Sequence, residues 1–250
     1  MTREIREWAQ QLPVGELFDF DDVQRALPEI SRDAIKASLS RLCKGDDPLI
    51  ARACRGIYTR RLVGGRYKTR LPINARRSLP WRLAGPGAGV TGPYVINTFG
   101  WSTQVSPRLW VAMLGRPPQR NDFGTIFQRR FNARRLELNR WEVSILEAVR
   151  CFNDWAELSW DDASTKFADY LQRGYYGNEI RGGLIIDAAE NERGLGPDFV
   201  PRVESLVSAA RQANGLDDAP GKSPRLAVNA TATTRRKTTP STVANTPQRS

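Results

Sequence analysis

The chain has 250 residues, 40% of them hydrophobic and 26% charged, with 38 Lys and Arg against 27 Asp and Glu and no histidine. That length supplies one or two domains with ample core, and the missing imidazole excludes His-dependent triads and imidazole acid–base chemistry. Cys43, Cys54 and Cys151 neither pair evenly nor carry metal-ligand spacing, and no apolar run approaches the roughly 20 residues that span a bilayer.

In chain order, the charged start Met1-Thr-Arg-Glu-Ile-Arg-Glu7 leads straight into an amphipathic helix over Arg3–Leu12. Ile5, Trp8, Ala9 and Leu12 share one face, and Pro13 stops it. This is not the pattern of a signal peptide, so a cytoplasmic protein is expected. Asp19, with Asp22 three residues on, caps a second helix that buries Val23 and Leu27 before Pro28. Ser31 caps a third, with Ile35, Leu39 and Leu42 on its buried face and Gly45 at its end. Strands near 49–53 and 57–61 form a hairpin turning at Arg55-Gly56.

The order of parts is that of a winged helix-turn-helix domain over residues 1–62, and such a domain implies duplex DNA as partner. Residues 63–92, rich in Gly, Pro and Arg, read as a connector with at most one strand. Residues 93–131 read as β-rich, with short apolar pieces Tyr94-Val-Ile96, Leu109–Leu114 and Thr125-Ile-Phe127. Helices follow: one capped by Asn139 with Glu142 at its third position, one capped by Ser159, and weaker patterns at 178–190 and 198–213. Residues 216–250 are Thr, Ala and Pro with scattered cations, and this basic tail is expected to be disordered. The fold class is α+β, with residues 93–215 forming a mixed α/β second domain.

Charge is distributed unevenly. Residues 1–50 carry seven cations against ten acids, whereas 51–77 carry nine cations and no acid. A third stretch, 108–150, has nine arginines against Asp122, Glu137, Glu142 and Glu147. Clustering of one sign suits a phosphate-facing surface, although a solvated basic face has the same composition. On the third helix, Ser31, Arg32, Lys36, Ser40, Arg41 and Lys44 lie away from the apolar face. Long cations there suit phosphates and guanine edges, and short Ser and Ala permit close approach. Arg52, Arg55 and Arg60 would line the hairpin as a wing against the backbone. Five phosphate contacts from the 51–77 run would give a log–log salt slope of about −4 to −5.

Other motifs lead elsewhere. Gly87-Ala-Gly89-Val-Thr-Gly92 matches the dinucleotide fingerprint, but a Pro-rich loop precedes it, Pro93 follows it, and Asp122 is the first acid downstream. Asp161-Asp162 are adjacent on a helix, diverge by about 100° and fit capping better than metal binding. The tryptophans of the second domain fit a core better than a base-stacking platform. No cofactor or metal site is expected, and no catalytic residue is assigned.

Asp19-Phe-Asp-Asp-Val23, Ser31, Leu39-Ser-Arg-Leu42 and Arg55-Gly-Ile-Tyr58 together resemble the amino-terminal domain of AbiEi-type antitoxins of abortive-infection toxin–antitoxin operons. Phe99–Pro107 and Arg135–Ala148 are similar to that family's second domain. The resemblance implies an autorepressor that binds inverted repeats at its own promoter, and a second domain that counteracts a nucleotidyltransferase-like toxin. It assigns DNA contact to Arg32, Lys36, Ser40, Arg41, Arg52 and Arg55. Three alternatives stay open: a winged-helix regulator with an effector-binding second domain and no toxin partner, a metal-dependent DNA-processing enzyme using carboxylates from 154–169, and a pure protein-interaction module.

Overall fold

The computed structural model describes residues 2–44, 48–61, 71–118, 124–173 and 180–213. The expected stop at Gly45 and the basic tail lie outside the described residues.

The amino-terminal part follows its local signals closely. Helix α1 (Thr2–Gln11) and strand β1 (Leu17–Phe18) precede α2 (Phe20–Ala26). Asp19 caps α2 through a reciprocal box, its side chain accepting from the Asp21 and Asp22 N–H groups while Asp22 accepts from the Asp19 N–H. Helix α3 (Arg32–Leu42) starts at Ser31, whose hydroxyl accepts the Ala34 N–H at 3.4 Å. Strands β2 (Ile50–Cys54) and β3 (Ile57–Arg60) then pair antiparallel, and β1 joins on the far side of β3, giving the order β1-β3-β2. Ile5, Phe18, Val23, Ile35, Leu39, Ile50 and Tyr58 form the core beneath.

The supposed connector is instead structured. Helix α4 (Ile73–Ala84) occupies most of its described part. Ala75 and Leu79 pack against Leu17, while Trp81 and Ala84 pack against Val111 and Met113. A helix held between two sheets needs apolar residues on two sides, so no single-face periodicity betrays it, and Pro80 argued against it further. Arg82 at its end donates to Asp19 at 2.6 Å and also to Asp22. The amino-terminal part and the elements that follow α4 belong to one packed unit, Met1–Asp217.

Beyond α4 come β4 (Gly89–Val90), α5 (Gly92–Thr98), β5 (Trp110–Met113) and β6 (Ile126–Arg129). Strand β5 pairs antiparallel with β4 and parallel with β6. The piece Tyr94-Val-Ile96, expected as a strand, lies inside α5. Three apolar residues fit either period, and Pro93 in a helix's first turn gives up an N–H that has no intrahelical partner. In the 87–92 glycine segment, a side chain on Gly89 would meet Val143 Cβ at 2.8 Å, and one on Gly92 would meet the Trp110 ring at 2.7 Å. Those glycines serve close packing.

Helix α6 (Arg140–Trp155), capped by the Asn139 and Glu142 box, runs through the main core with α7 (Trp160–Gln172), α8 (Gly182–Glu190) and α9 (Phe199–Ala213) around it. Trp101 is fully buried there and donates its indole N–H to the Ala163 carbonyl at 2.9 Å. The architecture is α+β.

Two carboxylates sit inside this core among arginines from the basic 108–150 stretch. Glu147 is fully buried and accepts from Arg130 at 2.7 and 2.9 Å and from the Thr91 hydroxyl. Arg135, also fully buried, lies 2.6 Å from Glu147, in charge contact and off the line of its N–H bonds. Glu192 accepts from Arg135 at 2.6 Å, from Asn132 at 2.9 Å and from Arg150. Burial alone would raise the Glu147 carboxyl, but the hydrogen bond from Arg130 and the charges of Arg135 and Arg130 outweigh it and hold the pKa near 2, against an ordinary 4.5.

A depressed folded-state pKa means that the stabilisation is complete above about pH 4.5. It drains away as pH falls towards 2. Replacing Glu147 by Gln removes the carboxylate shared by Arg130 and Arg135 and leaves Arg135 only Glu192 as counter-charge, so stability at pH 7 should fall by about 3–5 kcal/mol. Urea unfolding reads this directly, and the variant should also lose part of the wild type's pH dependence between 4.5 and 2. An unchanged urea midpoint at pH 7 would show that the network is dispensable.

Candidate nucleic-acid interface

Helix α3 divides cleanly into two faces. Ile35, Ser38, Leu39 and Leu42 are buried, while Ser31, Arg32, Asp33, Lys36, Ala37, Ser40, Arg41 and Lys44 are exposed. Every candidate that the sequence placed on this helix is therefore at the surface. Two of these cations have carboxylate neighbours: Arg32 reaches Asp21 at 3.3 Å and Lys36 reaches Asp33 at 3.4 Å. All four side chains are more than half exposed, and such pairs are worth about 0–1 kcal/mol. An incoming phosphate can replace the carboxylate at little cost.

The hairpin contributes two further cations. Arg52 is exposed on β2, close enough to the end of α3 that its charge opposes the upward push of burial on the Cys43 thiol. Arg55 is exposed at the turn, where Gly56 takes φ 83°, a left-handed conformation that glycine adopts without strain. The strands slip register between Arg52 and Cys54, the mark of a bulge that bends the hairpin.

Arg60 does not belong to this surface. It ends β3 opposite Ile50, is half-buried, and donates from Nη1 to the Leu12 carbonyl at the end of α1. Its own carbonyl accepts the Gly15 N–H at 3.0 Å. Arg60 is a clasp between the helix end and the sheet, because the last residue of a strand faces whatever chain leads into that sheet. Arg61 is buried as well. Of the acid-free 51–77 run, Arg52, Arg55, Arg76 and Arg77 remain exposed among the described residues, and Arg66, Lys68 and Arg70 lie outside them.

The basic 108–150 stretch also splits. Arg135 is consumed in the buried network, and Arg140 lies over the Trp81 ring at 4.7 Å. Arg108, Arg116, Arg129 and Arg134 are exposed. Sequence composition cannot make this division, since an arginine paired inside and one facing solvent look alike. No three His, Cys, Asp or Glu side chains among the described residues come together in a way that could hold a metal ion. Asp162 accepts from the Ser159 hydroxyl at the start of α7, the capping role expected of it. Burial pushes the Cys43, Cys54 and Cys151 thiols up, away from the reactive thiolate. No helix among the described residues is long and apolar enough to cross a membrane.

No protein-family model and no curated protein matches the chain. Among solved structures, the crystal structure of the RV2827C protein from Mycobacterium tuberculosis aligns over 86% of this chain and 79% of its own, at 13% identity and a TM-score of 0.35. At that level the likeness carries no argument about fold or function.

The contrast between Arg55 and Arg60 can be measured. Arg55→Ala should leave the urea midpoint unchanged, weaken duplex DNA binding in a gel shift and flatten the log–log salt slope by about 0.9. Arg60→Ala should instead destabilise the fold by about 1–3 kcal/mol, by leaving the Leu12 carbonyl without its donor. The assignment fails if the two variants behave alike.

Proposed function

We propose that the chain is a winged helix-turn-helix DNA-binding protein, with α3 as the reading helix and the β2–β3 hairpin as the wing. The order helix, strand, two helices and a hairpin, with β1 pairing β3, is the expected arrangement of such a domain. One observation carries the proposal. Arg32, Lys36, Ser40 and Arg41 of α3, and Lys44 just beyond it, are all at the surface together with Asp33 and Ala37, with Arg52 near the helix end. Long donors and short hydroxyls along one exposed helix are what base edges and phosphates require. In this reading Arg32 and Lys36, on the helix's first turns, supply sequence choice, while Lys44, Arg52 and Arg55 supply position.

The regulatory reading is that of an autorepressor and antitoxin acting at its own promoter against a nucleotidyltransferase-like toxin. Its support is the resemblance carried by 19–58, 99–107 and 135–148. The two later segments pack into one core, which holds Phe99 and Trp101 of the first and Leu138, Val143 and Leu146 of the second. A second reading, a regulator answering to a small effector, is favoured by a cleft of about 750 Å³ where Glu16, Trp81, Arg82 and Arg140 meet.

Replacing Arg32 and Lys36 together by Ala should erase discrimination between the promoter repeat and random duplex in a gel-shift competition. Each lost base contact is worth about 1–3 kcal/mol. Retained discrimination would overturn the reading helix. Co-expression with the neighbouring reading frame separates the two regulatory readings. An antitoxin rescues growth, and the doubly substituted chain should still rescue because neutralisation belongs to the second half. Absence of any toxic neighbour would favour the effector-controlled regulator.

A further inference from the structure

A second cationic site lies well away from α3 in the chain. The end of β6, the 3-10 turn Ala133–Glu137, helix α6 and the segment 191–193 enclose a cleft of about 730 Å³. Arg129, Arg130, Arg134, Arg150 and Arg193 line it, and Glu192 is the one carboxylate among its described lining. Glu192 is turned inward, its side chain 3% exposed and taken up by Arg135, Arg150 and Asn132. Glu147 behind it is wholly buried. The two acids hold Arg130, Arg135 and Arg150 in place yet present almost no negative charge to solvent. Arg134 at the rim is paired with the exposed Glu137 at 3.8 Å and with Asp187 at 3.4 Å, and five lining arginines leave the cleft with a net positive charge.

Two of the lining arginines, Arg129 and Arg193, have no carboxylate partner among the described residues. Arg129 instead lies over the ring of Phe131 at 4.7 Å. Phe131 itself is 80% exposed, although it belongs to the same cleft. A phenyl ring standing in solvent among guanidinium groups offers a π face and a set of phosphate donors at once.

We propose that this cleft binds single-stranded nucleic acid, with the arginines on successive phosphates and Phe131 stacked against an unpaired base. A positively charged groove combined with an exposed aromatic is how strands are held without sequence reading. Duplex DNA keeps its bases stacked on one another, so it could use the arginines but would leave Phe131 idle. An acidic polypeptide would likewise meet the charge and ignore the ring. The cleft volume suits one or a few nucleotides. No residue is shared with the α3 and hairpin surface, so the site stands or falls independently of the duplex-binding proposal.

Fluorescence anisotropy of the full chain with a labelled 12-residue oligouridylate or oligothymidylate tests it. Phe131→Ala should weaken binding by at least about fivefold while leaving the salt slope intact, since one stacked base is worth about 1–3 kcal/mol. Phe131→Trp should restore or strengthen binding. Arg129→Ala and Arg193→Ala should each reduce the log–log salt slope by about 0.7. Thermal melting should be unchanged in all four variants, because the replaced side chains are exposed. Promoter duplex binding should survive Phe131→Ala, and strand binding should survive the Arg32 and Lys36 double substitution. The proposal is overturned if Phe131→Ala binds the oligonucleotide as well as wild type. Equal competition by ATP would also overturn it in favour of a mononucleotide site, and displacement by polyglutamate that is indifferent to Phe131 would indicate an acidic protein partner.

Discussion

The pairing of two buried carboxylates, Glu147 and Glu192, with Arg130, Arg135 and Arg150 is the constraint on which the second half of the molecule depends. Removing one such ion from water costs several kcal/mol, and the loss is offset only when oppositely charged partners meet it at close range. Here Glu147 on α6 meets arginines from the end of β6, from the 3-10 turn and from its own helix, and also takes the Thr91 hydroxyl ahead of α5. One carboxylate thereby sets the relative placement of β6, the 3-10 turn, α6 and the more distant start of α5. Glu192, just beyond α8, extends the lock to a fifth.

That network alters the meaning of the chain's positive charge. An excess of cations suggests a surface made for polyanions, and part of it is such a surface. Another part is internal. Arg135 has no exposure, and Arg60 and Arg61 are drawn into the sheet and the end of α1. The surviving exposed cations are therefore fewer but better organised. Some gather along α3 and the hairpin, and others around Phe131, where the buried acids hold some of the cleft's guanidinium groups in fixed positions.

Helix α4 has a comparable role between the two halves. It presents Leu79 to the first sheet and Ala84 to the second, and Arg82 closes on the same Asp19 and Asp22 that cap α2. A capping box can carry this extra contact because each carboxylate has lone pairs beyond those that its backbone partners use. The amino-terminal helices and sheet are thus packed into the rest of the unit, where a loose linker would have left them free.

What local chemistry dictates could be read directly. The boxes at Asp19 and Asn139, the cap at Ser31, the turn at Arg55-Gly56 and the apolar faces of α1, α3, α6 and α7 all follow from residues within four positions of one another. The exposed face of α3 follows with them, since a helix with a buried stripe must present its remaining side chains to solvent. Strand β1, helix α4 and helix α5 were not legible. They are two residues long, apolar on two sides, or built on an apolar piece too short to have a period, and each exists because another element covers it. The tertiary structure alone decided which arginines face water. Pairing of Arg135 with Glu147 and of Arg60 with the Leu12 carbonyl joins residues 12 and 48 positions apart, and no local pattern distinguishes such an arginine from one left at the surface.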